Sequence, residues 1–126
     1  ISQYAAIEAL NGSQSFIAPN KELFQYRRDF VVKLLNDIPL ISCDKPSGAF
    51  YVFADFKKAI GKLTPQNKVI GSSDDFAEFL LNQARVAVVP GVAFGQENHF
   101  RISYATGEKL LKLACDRIKN ACNLLK

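Results

Sequence analysis

The chain has 126 residues, enough for one domain that buries about two-thirds of its unfolded surface. With 48% apolar residues and no low-complexity stretch it is not a disordered segment, and no apolar run reaches the ~20 residues a membrane-crossing helix needs. The net charge of +4 comes from 16 basic against 12 acidic residues. The lysines are scattered, and only Lys57 and Lys58 adjoin, so there is no basic stripe of the kind that marks a nucleic-acid surface.

Residues 2–12 (SQYAAIEALNG) predict a short helix, with Tyr4, Ile7 and Leu10 at helical spacing and Asn11-Gly12 as its stop. A second helix is predicted from Pro19 to Asp37. Proline suits its first turn, Leu23, Tyr26, Phe30, Val31, Leu34 and Leu35 form its apolar stripe, and Pro39 ends it. A short strand over 40–42, a DKPSG turn and a strand over 49–56 then read as a hairpin. Both faces of the second strand carry aromatics, which predicts cover on both sides. Residues 57–72 read as a helical turn and a polar loop. Ser73 is the expected cap of a third helix, with Asp74 and Asp75 at its positive end rather than as a catalytic pair.

RVAVV (85–89) reads as a further strand before a Pro90-Gly91 turn. Residues 100–105, FRISYA, read as another, and Thr106 as the cap of a last helix with Leu110, Leu111, Ala114, Ile118, Ala121, Cys122 and Leu125 facing inward. The order α-α-β-β-α-β-β-α predicts an α+β fold: a small, mostly antiparallel sheet with helices packed on one face. The other sheet face is then expected to lie open.

Arg101 belongs to that open face. Phe100, Ile102 and Tyr104 alternate with Arg101, Ser103 and Ala105, so the apolar three face the core and the arginine faces away. A guanidinium is always charged and its planar donor fork matches a carboxylate or phosphate. The competing reading is an arginine paired with a surface acid. Other candidates are weaker. The glycine-rich bend from Pro90 to Gly95 lacks a phosphate-loop pattern. Gly48, Phe50, Val52 and Phe53 suggest an RNA-stacking strand, but the spacing fails and their rings are expected in the core. His99 is the single histidine, expected at the surface. Cys43, Cys115 and Cys122 lack metal-site spacing and read as buried, reduced thiols in a cytoplasmic protein.

Taken in order, ISQYAAIEAL, FQYRRDFVVKLLN, PSGAFYVFADF, DFAEFLL, RVAVVPGVAFG and FRISYAT resemble the carboxy-terminal part of class I aminotransferases, pyridoxal-phosphate enzymes of fold type I. The likeness is greatest to the bacterial aspartate type and covers essentially the whole chain. VPGxxFG followed by FRISYA is its most specific part. It implies that residues 1–18 end an interdomain connecting helix and turn, and that 19–126 form the C-terminal small domain. It further implies that Arg101 grips the substrate's α-carboxylate, with Gly48 and Phe50 beside the substrate.

The family's Schiff-base lysine follows a serine and precedes a Gly-x-Arg stretch, and no lysine here has that context. Ile1 is not methionine, and the helix starts without a capping residue. The chain is therefore expected to be cut from a longer polypeptide, inactive alone and without bound cofactor. Its expected partners are the large domain of the same polypeptide, a second copy in a homodimer, and small amino and keto acids. No nucleic acid or membrane is expected. The expected reaction is amino-group exchange between aspartate and 2-oxoglutarate; glutamate, prephenate and aromatic amino acids are alternatives, as is a stand-alone RNA- or protein-binding module. A third reading is a fragment that folds but does nothing, its exposed substrate face prone to self-association.

Overall fold

Val31 and Leu35 sit one helical turn apart, and both are fully buried in a 20-residue helix. This helix is α2 (Ile17–Asn36) of a computed structural model that describes residues 1–126. Before it comes α1 (Ser2–Asn11); after it come the strands β1 (Ser42–Cys43) and β2 (Tyr51–Asp55). Next is α3 (Ser73–Phe79), which runs on into a π-type turn over Leu80–Ala84. The strands β3 (Val89–Pro90) and β4 (His99–Ser103) and the helix α4 (Glu108–Cys122) complete the chain. The element order and the α+β class are those expected from the sequence.

The four strands make one antiparallel sheet in the order β1-β2-β4-β3. In its centre Val52 lies opposite Ile102 and Ala54 opposite Phe100. Val52, Ala54 and Phe100 are fully buried on the face that meets the helices. α2 packs against β1 and β2, α3 against β3 and β4, and α4 covers α2 and the π turn. Phe56 and Phe76 stack almost parallel at 4.2 Å, and Phe100 packs on both.

Several local expectations fail. Tyr51 is 41% exposed and Phe53 only half-buried, so β2 is covered on one side, not two. The expected 85–89 strand pairs only at Val89, while Val86 and Val88 pack on the core without a strand partner. The cap of α3 is Ser72, whose hydroxyl accepts from the Asp75 N–H at 3.1 Å; Ser73 is instead fully buried. α4 is capped at Gly107 without a side-chain bond, and Leu110 points outward, 60% exposed. Leu23 and Tyr26 also leave the predicted stripe of α2, at 42% and 52% exposed. α1 buries none of its residues, and Tyr4, Ile7 and Leu10 are exposed.

Candidate functional site

The β2–β4 register decides what surrounds Arg101. Tyr51 pairs with Ser103, Phe53 with Arg101 and Asp55 with His99, so these side chains share the face turned from the helices. Val89 of β3 pairs with Arg101 from the other side. The Arg101 guanidinium carbon lies over the Tyr51 ring at 4.4 Å and over the Phe94 ring at 4.6 Å. Phe94 reaches this face from the single helical turn at Gly91–Phe94 that follows β3.

The rings continue as a row. Phe94 meets Phe53 edge-on at 5.9 Å, and Phe53 stacks on His99 at 4.8 Å. His99 is thus not a free surface residue: it is half-buried, and its Nδ1 is buried without a hydrogen-bond partner. Arg101 takes part in none of the ion pairs, which involve Asp29, Asp75, Glu78 and Asp116. Within this chain Arg101 is therefore not one half of a surface ion pair. A half-buried guanidinium held by rings, its donors unused by acids of its own chain, can receive an external carboxylate.

Gly48 and Phe50 lie elsewhere. They line a cleft of about 700 Å³ with Phe16, Phe24, Arg28 and Tyr104. The Phe50 ring packs on Phe24 at 4.9 Å and is half-exposed, so it is not the core ring expected. Arg28, the cation of that cleft, is already engaged: Nε donates to Asp29 at 2.8 Å and Nη1 to the Pro46 carbonyl at 3.2 Å. Phe50 is not one of the two rings over Arg101.

Sequence reasoning did not group Tyr51, Phe53, Phe94 and His99 with Arg101. His99 could have been found, because it stands two residues before Arg101 and so shares its face. Phe94 carried no local signal, since it reaches the face through sheet order.

The residues present do not fit pyridoxal phosphate. Desolvation or a neighbouring cation activates a lysine for Schiff-base chemistry, and within this chain every lysine but Lys62 is exposed. Lys68 is held charged, its ammonium raised above the ordinary value by hydrogen bonds to Glu78 and Asp75. The three cysteines are buried and free.

The family model of aminotransferase class I and II matches residues 1–118. Over 125 residues the chain is 54% identical to a probable aspartate/prephenate aminotransferase of Rickettsia typhi, which takes in 99% of this chain and 31% of that protein. The crystal structure of the aspartate aminotransferase from Rhizobium meliloti matches with a TM-score of 0.96 and 50% identity, over 99% of this chain and 31% of that one. The alanine aminotransferase of Pyrococcus furiosus matches with a TM-score of 0.83 and 31% identity, over 96% of this chain and 29% of that one. The chain thus spans about a third of the length of these relatives.

Proposed function

The chain belongs to the class I and II aminotransferases, and from that premise we propose that it is the C-terminal, carboxylate-binding domain of an aspartate aminotransferase. Residues 19–126 form that domain and residues 1–18 the end of the helix and turn that join it to a large domain, with Ile17 and Ala18 already in the first turn of α2. The whole enzyme uses pyridoxal phosphate to move an amino group between L-aspartate and 2-oxoglutarate, and works as a cytoplasmic homodimer. The observation that carries this reading is Arg101: half-buried, over two rings and free of acid partners.

In this reading Arg101 binds and orients. Its donor fork holds the substrate's α-carboxylate and so fixes where Cα lies. The cofactor and the groups that move protons come from the rest of the enzyme, because the lysines of this chain do not suit them. Three further observations fit. Tyr4, Ile7 and Leu10 of α1 are 79%, 55% and 80% exposed, as expected of a surface that a longer polypeptide covers. The buried free thiols suit a reducing compartment. No helix is long and apolar enough to cross a membrane.

The name of the Rickettsia relative carries prephenate beside aspartate, and prephenate is the second substrate the reading allows. The test is a chimera in which this chain replaces the matching third of the Rhizobium meliloti enzyme. It should transaminate aspartate, and Arg101→Ala should lower kcat/KM about a hundredfold or more for every amino acid accepted, as loss of one side of a buried charge pair does. A folded chimera whose activity survives Arg101→Ala overturns the assignment.

A further inference from the structure

Tyr51 and Phe94 are 41% and 46% exposed, so neither ring fills the core. Both instead lie against one guanidinium, at 4.4 and 4.6 Å. We propose that Tyr51 and Phe94 are positioning residues, ring faces that hold the Arg101 side chain ready for a small planar carboxylate. The proposal rests on the reading of Arg101 as a carboxylate grip and adds the two groups that make the grip stiff.

The argument starts from what could hold an arginine still. A long side chain on an open sheet face samples many rotamers, and a ligand that needs one of them must overcome that freedom. A neighbouring carboxylate would fix the guanidinium but would also occupy its N–H donors and cancel its charge. An aromatic face attracts the cation through its quadrupole and takes no donor. Two rings and no acid at Arg101 therefore give a side chain that is restrained yet unsatisfied.

The rings have supports of their own. Phe94 meets Phe53 at 86°, and Phe53 stacks on His99 at 4.8 Å, so the row is braced from β2 and from β4. Tyr51 is held by strand pairing opposite Ser103. Its hydroxyl enters none of the side-chain hydrogen bonds, whereas those of Tyr26 and Tyr104 do. The ring of Tyr51, rather than its polar tip, is then the working part.

The experiment uses the chimera in which this chain completes the Rhizobium meliloti enzyme, with its arginines isotope-labelled and the Arg101 Nε–H and δ-methylene resonances followed by NMR during titration with succinate, and with methylphosphonate for comparison. In the unliganded chimera the two rings should move the Arg101 resonances away from ordinary arginine values. Succinate should shift them saturably, more tightly than methylphosphonate, and Arg101→Ala should abolish saturable binding. Tyr51→Ala and Phe94→Ala should each weaken succinate binding about threefold to tenfold, and Tyr51→Phe should leave it unchanged.

If succinate binds, Arg101→Ala abolishes the effect and both ring variants bind like the original chimera, the positioning role is overturned while the carboxylate reading stands. If succinate leaves Arg101 unmoved, the carboxylate reading itself falls and the positioning role with it. Should a ring variant fail to fold, the unliganded spectrum of the original chimera still decides, because Arg101 resonances at ordinary values would exclude the ring contacts.

Discussion

The Tyr104 hydroxyl donates a 2.7 Å hydrogen bond to the carbonyl of Ala49, a residue 55 positions away that adopts a φ of 65°. The Tyr104 N–H donates to the neighbouring Phe50 carbonyl at 2.8 Å, so the residue just after β4 holds the hairpin bend with two bonds. An alanine in the left-handed region is strained by about 1–2 kcal/mol, and this tie keeps it there. Tyr104→Phe should cost about 1 kcal/mol of stability. Ala49→Gly should cost nothing and can gain up to about 1 kcal/mol, because glycine removes the strain. Urea unfolding of the two variants measures both signs; a destabilised Ala49→Gly would show that the bend is not strained.

Gly91 sets the position of Phe94. A Cβ at residue 91 would collide with the carbonyl oxygens of Gln96 and His99, both main-chain atoms that cannot swing away. The Gly91 carbonyl also accepts from the Gln96 N–H at 3.0 Å, closing the loop tightly. Gly91→Ala should therefore destabilise the chain by about 3 kcal/mol, at the upper end of single-residue effects, and displace the Phe94 ring. Thermal unfolding gives the first quantity. Loss of the ring-induced shift of the Arg101 resonances gives the second, and a variant that keeps both would show that the loop yields easily.

What could be read from the sequence was set by local periodicity. The stripe through Val31 and Leu35, the alternation through Phe100 and Arg101, and the breaks at Gly12 and Pro39 identify α2, β4 and the ends of the first two helices without tertiary knowledge. The strands expected at 40–42 and 85–89 shrink to β1 at Ser42–Cys43 and β3 at Val89–Pro90, because pairing with β2 and β4 sets their extent and no local pattern encodes that. Leu110 has the spacing of an inward residue, but α4 turns Leu111, Cys115, Ile118 and Cys122 to α2 and the π turn, leaving Leu110 outside. For the site, parity alone puts Arg101 on the open face. The rings that hold it come from β2 and from the turn after β3, and only the β1-β2-β4-β3 order brings them together.

Asp75 links the start of α3 to solution pH. Its carboxylate accepts from the Ser72 hydroxyl at 2.8 Å, pairs with Lys68 at 3.0 Å and accepts from the Gly71 N–H at 3.2 Å. These bonds, Ser72 first and Lys68 next, hold its pKa below the ordinary 3.8. A depressed carboxylate gives stability that is complete above the unfolded value and lost as pH falls through the folded one. Asp75→Asn should therefore lower the urea midpoint at pH 7, and the gap to the original chain should narrow below about pH 4. A gap that stays constant down to pH 2 would show that the charge of Asp75 contributes nothing.

The thiols should be silent in the native state. Burial pushes Cys43 and Cys115 up to about 11 and Cys122 up to about 12, and all three are less than a tenth exposed. Only the thiolate attacks a disulfide or an alkylating agent, so at pH 7.5 each cysteine carries little of the reactive form, behind packed side chains. Cys115 and Cys122 lie on the buried stripe of α4, so a reagent reaches them only when that helix leaves α2. Labelling with a thiol-specific disulfide reagent should proceed at the rate of global or sub-global opening, slowing as stability rises and accelerating in low urea. Cys43, in the edge strand β1, should react first because edge strands fray before core helices. Immediate modification of all three in the absence of denaturant would mean that α4 is not packed on α2.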